Sequence, residues 1–116
     1  MKIKRWGVYL VNLHPQIGTK PGKVRPCVVV QDDSLNEIEH PSTVVLPITS
    51  KNIVRDAYPL RVFLPKEEAG LKVDSMILVD QFLAWDNKRF VQELGTLSPK
   101  KSEELEAACR EFFGWY

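Results

Sequence analysis

Cationic and hydroxyl side chains gather at the ends of two predicted strands: Lys20, Lys23, Arg25, Thr49, Ser50 and Lys51. Arg25 offers a planar fork of donors that fits a phosphate, and it keeps its charge at any working pH. An arginine together with a strand-end hydroxyl such as that of Thr49 can clamp a phosphate and stabilise the charge that develops in phosphoryl transfer. Spacing alone leaves a second interpretation open, in which Arg25 is a surface residue and Thr49 a turn residue.

Other kinds of catalytic site find little support in the sequence. His14 and His40 each precede a proline and have no second ligand at metal-binding spacing. The pair Asp32-Asp33 is more typical of a turn than of a Mg²⁺ site. No HExxH, Walker A, GxGxxG or GxSxG motif occurs. We therefore expect neither a metal nor a cofactor.

Short strands and one helix must position these side chains. Runs rich in aromatic and β-branched residues predict strands over residues 6–13, 24–31, 43–48, 58–64, 75–81 and 90–94. Residues 66–70 suit one helical turn. Ser98-Pro99 predicts a helix start, apolar residues then recur at i, i+3, i+4 and i+7, and Gly114 suits the helix end. The predicted fold class is mainly β, a small SH3-like barrel or twisted antiparallel sheets with a C-terminal helix.

Length and composition are those of one ordinary domain, so we expect a single domain over residues 1–116. Apolar residues make up 44% and charged residues 27%, which argues against a disordered, collagen-like or disulfide-dense chain. No run approaches the roughly 18 apolar residues of a membrane span, and no apolar signal segment follows the basic N-terminus. We expect a cytoplasmic protein without a membrane partner, in which Cys27 and Cys109 are free thiols.

The net charge of +1 is unevenly distributed along the chain. Residues 1–30 hold six basic residues and no acidic one, so this quarter is +6 and the remainder is −5. Such a segment attracts phosphates if its side chains share one face of the fold. A solvated basic edge is the alternative.

Four segments of the chain together resemble the MazF/PemK family of toxin endoribonucleases. They cover residues 5–15, residues 18–31 with a Gly-x-x-Arg-Pro core at Gly22, Arg25 and Pro26, residues 46–50, and residues 74–81. They stand in the family's order and at its distances, so the resemblance covers nearly the whole chain. It implies an SH3-like barrel with a terminal helix, in agreement with the strand pattern.

The resemblance also implies an activity and partners. Members are similar in being homodimers that cut single-stranded RNA at short sequences, without metal and without the ribosome. Arg25 would be the main catalytic residue, and Thr49 would hydrogen-bond the same phosphate while the RNA 2′-OH attacks it. The products would be a 2′,3′-cyclic phosphate and a 5′-OH. A small antitoxin with an acidic and apolar tail would cover the basic groove.

Further RNA-binding candidates surround this pair, namely Lys20, Lys23, Gln31, Ser50, Lys51 and Gln81. Amides at strand ends, as in Gln31 and Gln81, can read the base edges that single-stranded RNA exposes. A surface hydrogen bond is the alternative role for each amide. Two positions depart from the family pattern: Lys20 stands where many members carry glutamate, and Leu83 where many carry a basic residue. Both departures raise the question of weak activity or altered sequence preference.

The C-terminal sequence leaves other functions open. Gyrase poisons of the CcdB type resemble the same barrel and act through C-terminal residues rich in Trp and Gly, and this chain ends in Gly114-Trp115-Tyr116. The simpler interpretation is a glycine cap followed by an aromatic tail that folds back on the core. A third alternative is a catalytically weak module that only binds a partner. Lys20 supports this alternative, because it replaces the glutamate that many family members carry.

Overall fold

The computed structural model describes residues 1–13 and 23–116. Within them the chain forms seven strands, two α-helices and short 3-10 turns at Glu68–Gly70 and Asn87–Arg89. The strands and helices are β1 (Gly7–Asn12), β2 (Val24–Val29), α1 (Asp33–Glu37), β3 (Ser42–Thr49), β4 (Arg61–Leu64), β5 (Ser75–Leu78), β6 (Leu83–Asp86), β7 (Phe90–Thr96) and α2 (Pro99–Phe113). The prediction of a mainly β fold with a C-terminal helix is confirmed.

The strands form a twisted antiparallel sheet in the order β4-β5-β3-β2-β1-β7, with β6 on a separate stretch of β3. One edge of β3 is shared, because its first half pairs with β6 and its last residues pair with β5. Pro47, which has no N–H to donate, lies between these two ladders. Among the described strands no ladder joins β4 to β7, so the twisted-sheet form of the prediction holds rather than a closed barrel.

Apolar side chains fill both faces of the central strands β1, β2 and β3. Successive residues of a strand point to opposite faces, so each strand feeds two clusters. Val28 and Leu46 pack in one cluster with Leu105 of α2. Tyr9 and Cys27 pack in the other, together with Val45, Trp85 and Phe90. Because both faces are buried, polar side chains of β2 and β3 reach solvent only at the strand ends.

Helix α2 has the ends that its sequence predicts. The Ser98 hydroxyl accepts a hydrogen bond from the Lys101 N–H (3.3 Å), and Pro99 is the first helical residue. Gly114 adopts a left-handed conformation (φ 71°) and its N–H bonds the last carbonyls of the helix. The buried face carries Leu105 and Ala108, as the apolar spacing indicates.

Two elements were missed by the sequence analysis. The pair Asp32-Asp33 is typical of a turn, but Asp32 caps the short helix α1 by accepting the Ser34 N–H (3.0 Å). Strand β6 was missed because Leu83 and Ala84 are exposed, so its burial does not alternate as in a half-buried strand. Cys27 is buried and Cys109 half-buried, and both are free, as expected. In the described residues, no helix has the length and apolarity needed to cross a membrane.

Candidate active-site cleft

Several of the predicted site residues line one cleft of about 220 Å³ at the open end of β2 and β3. Its polar wall consists of Lys23, Arg25, Thr49 and Gln81. The apolar side chains of Leu13, Pro47, Ile48 and Leu78 complete the lining. We call this feature the Arg25 cleft. It joins the start of β2, the end of β3 and the turn after β5, which are separate in sequence.

Strand register explains why Arg25 and Thr49 meet. In the β2–β3 ladder Cys27 lies opposite Pro47. If this register is continued by two residues, Arg25 comes opposite Thr49. Because side chains alternate between the two faces of a strand, Arg25 lies on the same face as Cys27, and Thr49 on the same face as Pro47. β1 supports Arg25 from the other side through Val11, its partner in the β1–β2 ladder. The guanidinium and the hydroxyl therefore line the same wall.

The Thr49 hydroxyl is oriented by the chain that follows it. Its oxygen accepts a hydrogen bond from the Lys51 N–H at 3.2 Å, which is a local turn of the kind that Ser and Thr favour. The oxygen is thereby used as an acceptor, and its O–H proton stays available for a ligand in the cleft. Thr49 is half-buried, so the group is held in place yet open to the cleft.

Arg25 is half-buried, and no carboxylate among the described residues forms an ion pair or hydrogen bond with its guanidinium. Lys23 adds a second, exposed positive charge. A cationic cleft without an internal counter-ion favours an anionic ligand such as a phosphodiester. Burial raises the pKa of the nearby Cys27 thiol to about 12, so Cys27 stays protonated at neutral pH and is no nucleophile.

Gln81 reaches the cleft through a tight turn at the end of β5, in which its N–H donates to the Leu78 carbonyl (3.1 Å). The preceding carboxylate, Asp80, turns to Arg61 and forms a 2.7 Å ion pair there. The Gln81 side chain is exposed. The turn thus places the Gln81 amide at the cleft, while the Asp80 carboxylate pairs with Arg61 outside it.

The remaining predicted RNA-binding residues are divided by the fold. Lys51 is exposed beside Thr49, and Ser50 lines a neighbouring depression. Gln31 does not line the Arg25 cleft. Its amide donates to Asn36 Oδ1 (3.0 Å) and to the Ser42 carbonyl (3.3 Å), and it accepts the Val44 N–H (3.2 Å). Lys20 lies outside the described residues.

The described basic residues of the first quarter, Lys20 not being among them, do not form one positive face. Lys23 and Arg25 line the cleft, but Arg5 turns to Asp32 (3.8 Å) and Glu106 (3.6 Å). Lys2 lines a different depression, in company with Glu37 and Glu39. Charge counted along the sequence therefore overstates the charge at the cleft, because Lys2 and Arg5 precede β1 and lie away from the cleft.

The sequence analysis did not single out Lys66 and Lys72, which line the depression next to the Arg25 cleft with Ser50. They stand in a polar segment where no motif distinguishes them from other surface lysines. The described residues contain no group of three or more His, Cys, Asp or Glu side chains placed to hold a metal ion.

The aromatic tail packs on the surface rather than in the core. Phe113 lies 4.7 Å from Phe82 and 4.5 Å from Trp115 between ring centroids. Trp115 remains 65% exposed and Tyr116 97% exposed. Trp115 thus stacks on Phe113 at the end of α2 and Tyr116 stays in solvent, so the tail does not fold back on the core as the sequence suggested.

The fold and the cleft together define a small β-sheet protein with a cationic, hydroxyl-bearing cleft suited to a phosphodiester. Over residues 4–113 the chain matches the PemK-like, MazF-like toxins of type II toxin–antitoxin systems, and it belongs to this family. The predicted family resemblance is thereby confirmed.

Solved structures show the same fold at low sequence identity. A MazE–MazF complex from Deinococcus radiodurans (Form-III) is 23% identical, with all of both chains covered and a TM-score of 0.78. An endoribonuclease in complex with its cognate antitoxin, from a mycobacterial species, is 17% identical over 98% of this chain and 97% of that chain, with a TM-score of 0.77. The Mycobacterium tuberculosis toxin MazF-mt6 is 18% identical over 93% and 96%, with a TM-score of 0.74.

Proposed function

We propose that this toxin is a sequence-specific, ribosome-independent endoribonuclease that cleaves single-stranded RNA in the Arg25 cleft. The proposal depends on one observation: Arg25 and Thr49 line the same cleft, and no carboxylate among the described residues pairs with Arg25. Membership of the toxin family supports the proposal, and so does the similarity of the fold to solved endoribonucleases. Arg25 and Thr49 are the proposed catalytic residues.

In the proposed reaction the RNA supplies its own nucleophile. The 2′-OH attacks the adjacent phosphorus, the bond to the 5′-oxygen breaks, and the products are a 2′,3′-cyclic phosphate and a 5′-OH. Negative charge grows on the non-bridging oxygens as the fifth bond forms. The Arg25 fork and the Thr49 O–H donate to these oxygens, and a preorganised donor at developing charge contributes about 10²–10³ in kcat. No metal or cofactor takes part in this scheme.

The protons of this reaction also need carriers. Among the described residues that line the cleft, none is a carboxylate or an imidazole. An arginine does not lose its proton at working pH, so Arg25 is unsuited to act as the base. The proposal therefore assigns the 2′-OH proton to hydroxide from the solvent, and water protonates the departing 5′-oxygen, which regenerates the hydroxide.

The other polar side chains at the cleft have binding roles in this proposal. Lys23, Ser50 and Lys51 contact the RNA backbone, Gln81 reads a base edge, and Lys20 joins from the segment before β2. Gln31 is not included because its amide is occupied within the protein. The cationic cleft also suits an acidic, apolar antitoxin tail, and three similar structures are complexes with MazE. We propose a cytoplasmic homodimer regulated by such an antitoxin.

The decisive experiment is cleavage of a long unstructured RNA by the purified protein in EDTA, beside Arg25→Ala and Thr49→Ala. Lys100→Ala is the matched control, since Lys100 is exposed on α2 and lines neither the cleft nor its neighbour. We expect cuts at a short recurring motif, ending in 2′,3′-cyclic phosphate, that fall at least about 100-fold in Arg25→Ala. A folded protein that binds RNA without cutting it would refute the nuclease proposal.

Removal of Trp115 and Tyr116 separates this proposal from a gyrase-binding function. Both side chains are largely exposed, so their loss leaves the buried core intact. We expect RNA cleavage to stay within about twofold of the full chain. Loss of toxicity in the truncated chain with unchanged RNA cleavage would assign the toxic action to a protein target.

A further inference from the structure

A second depression of about 510 Å³ lies next to the Arg25 cleft. Ser50 connects the two, because it lines the depression and directly follows Thr49. The walls carry two lysines, Lys66 and Lys72, and two aliphatic side chains, Ile53 and Val73. Five of the six lining residues are exposed, so the depression is shallow and open to a chain that passes along the surface.

We propose that this depression binds an RNA nucleotide next to the one at the scissile phosphate, with its phosphate held by Lys66 and Lys72. Ile53 and Val73 provide the apolar surface for its base or ribose, and Ser50 a hydroxyl for the intervening backbone. This inference rests on the proposed function, because it takes the scissile phosphate to lie between Arg25 and Thr49. The lysines act as substrate-binding residues and touch no reacting atom.

The positive charge of the depression is available to a ligand. Asp74 also lines it, but one carboxylate oxygen bonds Arg55 (3.3 Å) and the other accepts the Lys66 N–H (2.8 Å). Both lysine side chains are exposed, and neither forms an ion pair with a described residue. Lys66 and Lys72 thus share the depression with the Asp74 carboxylate, which already pairs with Arg55. The lining therefore keeps a net positive charge.

The loop that carries the two lysines is closed by its own backbone. The Glu67 N–H donates to the Leu71 carbonyl (2.8 Å), while Asp74 holds the Lys66 N–H. Glu67, Ala69 and Gly70 all have positive φ, of 79°, 53° and 78°. A Cβ at Gly70 would overlap the Leu94 carbonyl, so the loop lies tightly against β7. Such a loop fixes the spacing of Lys66 and Lys72 before ligand binds, which lowers the entropy cost of binding.

An RNA strand suits this surface better than a neutral peptide. Single-stranded RNA repeats a negative charge at every nucleotide, so a strand bound at Arg25 and Thr49 brings a further phosphate to the neighbouring basic site. The apolar side of the depression is open as well, since Val73 is 53% exposed. The depression thus offers both a positive charge for a phosphate and apolar surface for a base or ribose.

The test compares Lys66→Ala/Lys72→Ala with Lys88→Ala/Lys100→Ala, which removes the same charge from exposed lysines outside both sites. The RNA is a short oligonucleotide with a 2′-deoxy residue at the cleavage position, so that it binds without being cut. Neutral methylphosphonate linkages are placed one at a time along it. For the wild-type protein and the control we expect one linkage adjacent to the scissile phosphate to weaken binding about 5- to 20-fold. The Lys66/Lys72 variant should bind 5- to 20-fold more weakly and be insensitive to that linkage.

Kinetics and salt dependence give independent readouts. On cleavable RNA the Lys66/Lys72 variant should raise KM with little change in kcat, since the lysines touch no reacting atom. The slope of log K against log salt should fall by about 0.7 for each lost phosphate contact to a single strand. The control variant should keep the wild-type KM and slope. Unchanged thermal unfolding of both variants excludes a folding defect.

Failure of this inference differs from failure of the proposed function. If the wild-type protein neither binds nor cuts RNA, the nuclease proposal fails first. If it cuts RNA, loses activity in Arg25→Ala, and the Lys66/Lys72 variant matches its control at every linkage, only the second nucleotide site is overturned. A variant that loses affinity for an acidic peptide but keeps RNA binding would overturn it too, and would assign the depression to a protein partner.

Discussion

Arg25 of β2 and Thr49 at the end of β3 line the same wall of one cleft, although 24 positions separate them in sequence. The pairing of Cys27 with Pro47 sets this relationship, because it carries both side chains to the same face. No carboxylate among the described residues pairs with the Arg25 guanidinium, and the Thr49 hydroxyl oxygen accepts a hydrogen bond from the Lys51 N–H. A phosphate between them would meet donors from both strands.

The contribution of the Thr49 hydroxyl can be isolated by a pair of substitutions. Thr49→Val keeps the shape and removes the donor, so we expect kcat to fall about 10²- to 10³-fold, the effect of removing one preorganised donor at developing charge. Thr49→Ser keeps the hydroxyl and the bond to the Lys51 N–H, and should stay within about threefold. Single-turnover cleavage measures both. Equal losses in the two variants would assign Thr49 a packing role instead.

The pH dependence of cleavage tests the proton acceptor. The described lining of the cleft holds no carboxylate or imidazole, and the proposed proton acceptor is hydroxide, so kcat should rise about tenfold per pH unit between pH 6 and 8. The measurement is single-turnover cleavage across that range at constant ionic strength. A plateau with an apparent pKa near 6.5, the ordinary value of an imidazole, would contradict the proposal. Loss of that plateau in His14→Ala would then assign the base to His14.

The two glutamines should separate stability from RNA binding. Gln31→Ala leaves the Val44 N–H and the Asn36 and Ser42 oxygens without their partner, so we expect the free energy of unfolding to fall by about 1–3 kcal/mol. Gln81→Ala should leave stability unchanged and weaken RNA binding about 2- to 10-fold. Urea unfolding and fluorescence anisotropy measure the two effects. The opposite pattern would place Gln31 in the RNA interface.

Thiol reactivity should report burial. Burial raises the pKa of Cys27 to about 12 and that of Cys109 to about 11, against about 8.5 for a free thiol. At pH 8 we expect alkylation by iodoacetamide to be at least about 100-fold slower than in urea, with Cys109 modified before Cys27. Folding raises both pKa values, so the protonated thiols favour the folded state. Their contribution to the free energy of unfolding is fully present below about pH 8.5 and is lost as the pH rises towards 11–12. Fast alkylation of native Cys27 would contradict this burial.

Local pattern was enough to predict much of the fold. The caps Ser98 and Gly114 and the apolar spacing between them predicted α2, because capping and periodicity are properties of neighbouring residues. The strands around Arg25 and Thr49 were predicted for the same reason. Edge strand β6 and the short helix α1 were not, since Leu83 is exposed at an edge and the Asp32 cap resembles an ordinary turn.

Local sequence pattern was sufficient to identify the family and to single out the candidate pair Arg25 and Thr49. Local pattern did not show which strands pair, or that β2 ends at Val29 and β5 at Leu78, two and three residues before the predicted ends. Only the tertiary structure brought Gln81 into the cleft, engaged Gln31 within the protein, turned Arg5 towards Glu106 and placed Lys66 beside Ser50. The physical reason is that periodicity records the buried face of each strand, whereas pairing between distant strands depends on packing across the whole sheet.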